Sequence, residues 1–553
     1  MSTNQTPRDD APVEGSAHVV DRHKGLVRRT FLVSGLTLAS RLLGFVREVQ
    51  SAILFGATSP IYDAFLTAWR VPNLFRRFFG EGALSTSLQA AMTEADAEHG
   101  DLAGRALFRA TLRVTTLILV GLCAVGMAIG LFAPGLAESG LFGPPPGSEA
   151  VIELTVRVLP FLVLVCVAAL CAGALQVRGE FLGPALAPVA MNVVWIATLA
   201  WIDWQHAGDD HLTQARLLAG GVVLSGLAQL AIQLPALRRM GLVGSLPGER
   251  PPVAAARAGI AVLSASAPFA LGAAAYQINV MIDGLMAEAL IAADGGPTAH
   301  YLANRVQQFP LALIAIAATS SVFPSLKALG HLNRLGELRS LHDRTQLAVA
   351  FLALPAAAGL AALALPISSA LFEHGQFDAN GAARVAHALA YLAAALPAAG
   401  AVGLTSRVYY ARGDLRTPVR ISIAALVANT VLNFVFLRFA GMDVDGLALA
   451  TAITAWGNLL ALQPGLTRGL GLPAAQAGLT RRLVRITLAA ALSGSAAWAA
   501  ALATAPLNDG GGPLTWLRLG LGVAAGALVF AAAARALALP EWGLIASRLH
   551  SRR

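Results

Sequence analysis

Of 553 residues, 56% are hydrophobic and 13% charged, against about 45–50% and about 25% in soluble globular chains. A soluble fold is excluded, and the apolar content suffices for a dozen or more spanning helices at about 20 residues each. The 40 Lys+Arg against 31 Asp+Glu leave a net charge of +9. The basic residues are nearly all arginine and are dispersed through short connections rather than gathered on one polar face, which argues against a nucleic-acid-binding role.

Residues 1–29 are polar and lack the apolar core and small-residue cleavage site of a signal peptide, so they read as a disordered cytoplasmic tail. Apolar segments then follow near 31–55, 61–92, 108–133, 150–175, 185–204, 214–237, 258–290, 298–326, 346–371, 385–411, 418–439, 444–467, 483–505 and 514–538. The pattern predicts an all-α polytopic membrane protein of about fourteen transmembrane helices. Cys123, Cys166 and Cys171 fall inside apolar runs without metal-ligand spacing and read as small core residues. The histidines, including His99, His206 and His374, lie mostly in loops and tails and show no metal spacing.

Charge fixes the orientation. With a cytoplasmic amino terminus, inner connections hold Arg105, Arg109, Arg178, Arg238, Arg239, Arg250, Lys327, Arg334, Arg339, Arg344, Arg412, Arg416, Arg468, Arg481 and Arg482. The outer connections read GATSP, AESGLFGPPPGSE, QHAGDDH, AADGGPT, EHGQFDANG, AGMDVD and APLNDGGGP, with no Lys or Arg. This satisfies the positive-inside rule at each turn and places both termini inside. Arg157, Arg216, Arg384, Arg438 and Arg518 sit just inside the outer helix ends, within snorkelling reach of water.

Arg178-Gly179-Glu180 with Pro184 recurs as Arg412-Gly413-Asp414 with Pro418, 234 residues later. Looser anchors at similar offsets support a parallel repeat of six helices, the arrangement of carriers with a central site. The reading is therefore a tail (1–29), an N-lobe (30–240), a C-lobe (256–470), a final helix pair (482–540) and a cytoplasmic tail (541–553).

Several ionisable residues lie at membrane depth, where a central arginine costs about 2.5–3.5 kcal/mol on insertion scales unless it faces a wet cavity or a partner. The first two segments hold Arg41, Arg47, Asp63, Arg70, Arg76 and Arg77, and the eighth holds Arg305. A net-positive cluster at depth points to an anion. Asp63, Arg70 and Arg77 repeat every seven residues and share a helix face, close enough to neutralise one another in part. Pro72 predicts a kink near Asn73. In the second half Asp283, with Asn429 and Asn433 one turn apart and Thr451, supplies only oxygen ligands, a donor set for a hard monovalent cation. No GxxxxGK[ST], HExxH, GxSxG or CxxC motif occurs, which argues against ATP hydrolysis and leaves membrane potential or an ion gradient as the energy source.

SRLLGFVRE, FGA before YDAF, and PNLFRRFFGEGALS, with YLANRVQQFP, VFPSLK, LFEHGQF and YYARGDLRTPV in the second half, resemble the MurJ (MviN) family of lipid II flippases. The resemblance covers nearly the whole chain after about residue 27. It implies the multidrug/oligosaccharidyl-lipid/polysaccharide exporter fold, with two six-helix lobes around a cationic cavity and a C-terminal helix pair forming a lipid-tail groove. It also implies that the important cavity residues are Arg41, Arg47, Arg76, Arg305 and the acid Asp63, with Ser40, Asn73 and Glu81 at further motif positions. Asp283, Asn429, Asn433 and Thr451 resemble the sodium site of some members, with Asn433 where a carboxylate can stand.

The function so implied is transfer of an undecaprenyl-diphosphate-linked peptidoglycan precursor from the inner to the outer leaflet of the bacterial inner membrane by alternating access, without an enzymatic step. No organic cofactor is expected, and sodium or membrane potential is the driving force. The expected partners are lipid II, membrane lipids and cell-wall synthesis proteins, with no nucleic acid. A drug or polysaccharide exporter of the same superfamily is the nearest alternative, and a cavity for cationic drugs should be acidic where this one gathers arginine. A polyprenyl-phosphate enzyme would need clustered catalytic carboxylates or an extramembrane catalytic loop.

Overall fold

The structure is a computed structural model and describes residues 15–79, 83–138, 148–244, 252–291, 293–319 and 322–543. Among these, no β-strand occurs. The helices are α1 (Gly15–Phe55), α2 (Pro60–Phe79), α3 (Ala83–His99), α4 (Asp101–Glu138), α5 (Glu149–Val158), α6 (Pro160–Val177), α7 (Leu182–His206), α8 (His211–Arg239) and α9 (Pro252–Leu290). They continue as α10 (Gly296–Thr319), α11 (Phe323–His331), α12 (Leu335–Ala362), α13 (Ala364–Phe372), α14 (Ala379–Ala411), α15 (Arg416–Arg438), α16 (Val444–Arg468), α17 (Leu479–Ala503) and α18 (Pro513–Ala536).

Ten spans among the described residues are long and apolar enough to cross a membrane: α4, α5 with α6, α7, α8, α12, α14, α15, α16, α17 and α18. The remaining predicted segments correspond to α1, α2 with α3, α9 and α10, so length and apolarity alone return ten spans rather than fourteen. Those four carry Arg41, Arg47, Asp63, Arg70, Asp283 and Arg305, the ionisable residues that the sequence places at depth.

Local chemistry sets the helix ends. Asp210 and Asp378 accept from the backbone N–H groups of Thr213 and Gly381 and cap α8 and α14. Thr213 also donates its hydroxyl to Asp210, and together its backbone and side chain hold that exposed carboxyl below its ordinary range. The predicted segment 346–371 divides at Leu363, because Pro366 has no N–H to bond the Ala362 carbonyl. The segment 298–326 divides into α10 and α11, and 61–92 into α2 and α3, with residues 80–82 outside those described. α2 stays helical through Pro72. α1 begins at Gly15, inside the stretch expected to be a disordered tail; residues 15–29 contain no proline to interrupt it.

The duplicated motif has the same local form in both copies. Gly179 (φ +74°) and Gly413 (φ +79°) end α6 and α14 in the left-handed conformation that glycine tolerates. Glu180 then accepts from the N–H groups of Leu182 and Gly183, and Asp414 from those of Arg416 and Thr417. The two arginines reach equivalent places: Arg178 pairs with Asp96 and Asp101 around the α3–α4 turn, and Arg412 donates to Gly330 O and Asn333 Oδ1 (both 3.0 Å) at the α11–α12 turn.

The first group of helices packs α2 on α5 and α6, α1 on α7, and α8 on α6 and α7. Its core includes Tyr62, Phe65, Trp69, Phe161 and Trp195, and the Trp69 and Trp195 rings meet edge to face at 4.8 Å. In the second group α14 packs on α10, α12 and α16. The last pair lies on this group through α12 and α13. Gly494 allows α17 close to Ala358, and Ser493 donates to Gly526 O (2.8 Å) on α18, the small-residue packing that serves where lipid removes the hydrophobic drive. α9 departs from a clean division by sequence, because it packs on α2, α3 and α4 as well as on α10, α15 and α16.

Connections gather at two ends. At the end whose connections lack Lys and Arg, Glu153 pairs with Arg157 and Arg216, Arg384 forms a bidentate pair with Asp443 (2.6 and 2.7 Å), and buried Arg518 donates to Ala501 O. Four of the five arginines placed near the outer helix ends are thus held by protein partners. Arg109 donates to Gly241 O and Leu242 O at the opposite, arginine-rich end.

Candidate functional site

Arg47 and Glu48 stand side by side on α1, each 4% exposed. Arg47 donates Nη2 to Glu48 Oε1 and Nη1 to Asn192 Oδ1 on α7 (3.1 Å), and its guanidinium lies 4.3 Å over the Trp195 ring. Asn192 is fixed in turn, donating to the carbonyl and hydroxyl oxygens of Ser40 (2.9 and 3.3 Å). From α10, Arg305 brings Nη2 within 3.1 Å of the same Glu48 oxygen, while the Tyr301 hydroxyl one turn earlier accepts from its Nε and Nη2. One carboxylate therefore joins two guanidiniums from opposite groups of helices. The cluster carries one net positive charge, and the Arg305 side chain keeps 25% of its surface exposed.

The second element is a closure. Asp63, in the first turn of α2 and 4% exposed, accepts from Gly295 N (2.7 Å), Thr298 N (2.9 Å) and Thr298 Oγ1 (2.6 Å), so it caps α10 from across the molecule. Beside it, Gln376 N donates to Ile53 O (3.2 Å), and His211 lies within hydrogen-bond distance of both Ser59 Oγ and Gln376 Oε1. Gly295 has φ +85°, and a Cβ there would lie 2.0 Å from Ala57 O. The connection after α1 is thus wedged against the second group at the arginine-free end.

The third element is an oxygen-rich set between α9, α15 and α16. Asp283, 3% exposed, accepts from Asn433 Nδ2 (2.7 Å) and Asn279 Nδ2 (2.9 Å). Asn429 faces Thr451 and Thr454. With its amide turned the other way, Asn429 donates instead to Asp283 Oδ1 (2.8 Å) and Asn279 Oδ1 (3.1 Å). In that orientation the Asn429 oxygen accepts from Thr451 N (3.2 Å). Asn433 Oδ1 is buried without a hydrogen-bond partner, an acceptor that suits a small cation. The set holds one carboxylate, Asp283, among neutral amide and hydroxyl oxygens, a low charge that suits a monovalent ion.

The structure brings Arg47, Arg305 and, through Asn192, Ser40 into one site. Arg41 is exposed and Asn73 half-buried on their helices. The side chains of Arg76 and Arg77 and the whole of Glu81 lie outside the described residues. No Asp63–Arg70 ion pair forms among the described residues; each of the two leans instead on the second group. Sequence reasoning missed Glu48, Tyr301, Asn279 and Glu288. The first stands beside Arg47, the next two lie one turn before Arg305 and Asp283, and Glu288 is an unremarked acid near the end of α9, so spacing offered a signal for three of them.

A solved multidrug resistance MATE family transporter of the MOP superfamily, in an inward-facing conformation, matches 79% of this chain and 96% of its own at 14% identity and a TM-score of 0.60. A lipid II flippase MurJ in an inward closed conformation matches 92% of this chain and 99% of its own at 19% identity and a TM-score of 0.71. The fold is thus that of a class of multi-pass membrane transporters. In sequence, the lipid II flippase MurJ family profile matches residues 51–508. A lipid II flippase MurJ of Burkholderia cenocepacia is 32% identical over 453 residues, 81% of this chain and 85% of that protein. A probable lipid II flippase MurJ of Rhizobium meliloti is 31% identical over 476 residues, 86% of each. The chain belongs to the lipid II flippase MurJ family.

Proposed function

We propose that this chain carries lipid II from the inner to the outer leaflet of the bacterial cytoplasmic membrane by alternating access, with both termini cytoplasmic and no covalent step. The observation that carries the reading is Glu48 held between Arg47 and Arg305. A diphosphate offers guanidiniums the bidentate, charge-assisted bonds that the carboxylate now supplies, so substrate and Glu48 compete for the same donors. The two arginines come from opposite lobes (30–240 and 256–470), and an anion that binds both therefore bears on the relative position of the lobes. Arg41, Arg76, Asn73 and Glu81, at motif positions of the family resemblance, are further proposed substrate contacts. The polyprenyl tail stays in lipid along the pair at 482–540.

In this reading the arginine-free end is outside, and the Asp63 cap on α10 holds it shut while the site faces the cytoplasm. Asp283, Asn279, Asn429, Asn433 and Thr451 would hold sodium, which supplies a positive charge beside the buried Asp283. Membrane potential is the other available source, worth about 2.3 kcal/mol per charge per 100 mV. Cell-wall synthesis proteins are the expected neighbours. Depletion of the chain in its host tests the proposal: lipid II should accumulate in the inner leaflet, and undiminished delivery to the outer leaflet would overturn it.

A further inference from the structure

Arg70 stands on α2, 9% exposed, seven residues past Asp63. Its guanidinium occupies the space over Gly284 of α9: a Cβ there would lie 1.9 Å from Arg70 Cζ, 2.1 Å from Nη1 and 2.3 Å from Nε. Gly284 sits well inside a helix, where glycine is weaker than alanine, and what it provides here is a seat for that planar cation. The preceding residue is Asp283, so the guanidinium and the oxygen set meet adjacent residues of α9. Arg70 Nη1 donates to Thr67 Oγ1 (3.3 Å), and Thr67 Oγ1 donates to Glu288 Oε2 (3.2 Å), one turn further along α9. The acids that act on its charge are Glu288, Asp63 and Asp283. Asp63 itself is spent on α10, so α2 holds the second group by two separate ties, one at α10 and one at α9.

We propose that Arg70 is a positioning residue that couples a cation at Asp283 to closure of the arginine-free end: the seated guanidinium and the cation oppose each other, and seating holds α2 against α9. The inference rests on the cation reading of the Asp283 set. Two unit positive charges within about 12 Å of each other at an effective dielectric of about 20 oppose each other by about tenfold or more in affinity. Cation entry therefore favours lifting Arg70 from Gly284, which loosens the Thr67–Glu288 contact and leaves the Asp63 cap as the remaining tie.

The test uses the purified full chain titrated with NaCl against choline chloride at constant ionic strength, read by tryptophan fluorescence and by the unfolding midpoint. Arg70→Gln removes the competing charge and should lower the half-saturating sodium concentration about tenfold, while Arg70→Lys should stay within about threefold of wild type. Gly284→Ala, which evicts the guanidinium, should act in the same direction as Arg70→Gln and add little to it in the double variant. Labelling of a cysteine placed at Ser59 should rise with sodium in the wild type and lose that dependence in Arg70→Gln. A merely structural arginine would change the midpoint and leave the sodium half-saturation alone. A wild-type response abolished by Asp283→Asn but unmoved by Arg70→Gln overturns the coupling alone. Absence of any sodium response in the wild type overturns the cation reading and the coupling with it.

Discussion

Replacing Asp63 should unlock the arginine-free end. Its carboxylate accepts three hydrogen bonds, from Gly295 N, Thr298 N and Thr298 Oγ1, at 2.6–2.9 Å. Bonds to a charged acceptor contribute about 1.5–3 kcal/mol each, and loss of a helix cap costs about 0.5–2 kcal/mol. Because the freed donors meet water when the end opens, the loss falls mainly on the closed state. Taking about 3 kcal/mol for Asp63→Ala, the closed-to-open ratio falls about 150-fold. Asp63→Asn keeps one acceptor oxygen without the charge and should lose about half that energy. The assay is the rate at which a membrane-impermeant maleimide labels Ser59→Cys, with Cys123, Cys166 and Cys171 replaced. Ser59 is 5% exposed in the closed form, so labelling should accelerate in the order wild type, Asn, Ala. Equal rates in all three, with the proteins folded and inserted, would refute the cap as the element that holds the end shut.

Glu48→Gln removes the carboxylate shared by Arg47 and Arg305 and should raise affinity for a fluorescent polyprenyl diphosphate about fivefold, while slowing release; unchanged binding would show that Glu48 does not compete with substrate. Asp283→Asn should abolish any dependence of leaflet exchange on sodium while leaving the unfolding midpoint in choline chloride near that of wild type, and a retained sodium dependence would place the ion elsewhere. Arg178→Ala breaks partly exposed pairs with Asp96 and Asp101 and should cost about 1 kcal/mol of stability, seen as a fall of about one degree in midpoint with exchange retained. Loss of exchange in that variant would give the α3–α4 turn a role in the cycle.

The helical class and the places of most helices were legible because apolar runs of spanning length are a strong signal in themselves. The Arg-Gly-acid repeat was legible too, since a left-handed glycine and a helix-start acceptor are demands made within six residues. Side-chain partners were not. Arg47 finds Asn192 at a separation of 145 residues and Asp63 finds Thr298 at 235, and no local period encodes either meeting. Asp63 and Arg70, one face of one helix, appeared as partners on spacing, yet Asp63 is satisfied by α10 and Arg70 bonds Thr67 of its own helix while lying over Gly284 of α9. Nothing in the local sequence marks Gly284, because its meaning lies in an arginine 214 positions earlier in the chain.

The central claim is that Arg47 and Arg305, bridged by Glu48, hold the diphosphate of a lipid-linked precursor during transfer between leaflets. Its most direct test is leaflet exchange of labelled lipid II in vesicles containing the purified chain, scored for wild type, Arg305→Ala, Arg47→Ala and Arg305→Lys. The account predicts exchange in the wild type, loss of at least tenfold in both alanine variants, and partial retention in Arg305→Lys, which keeps the charge without the bidentate fork. Exchange at the wild-type rate in folded, correctly inserted Arg305→Ala and Arg47→Ala proteins would contradict it.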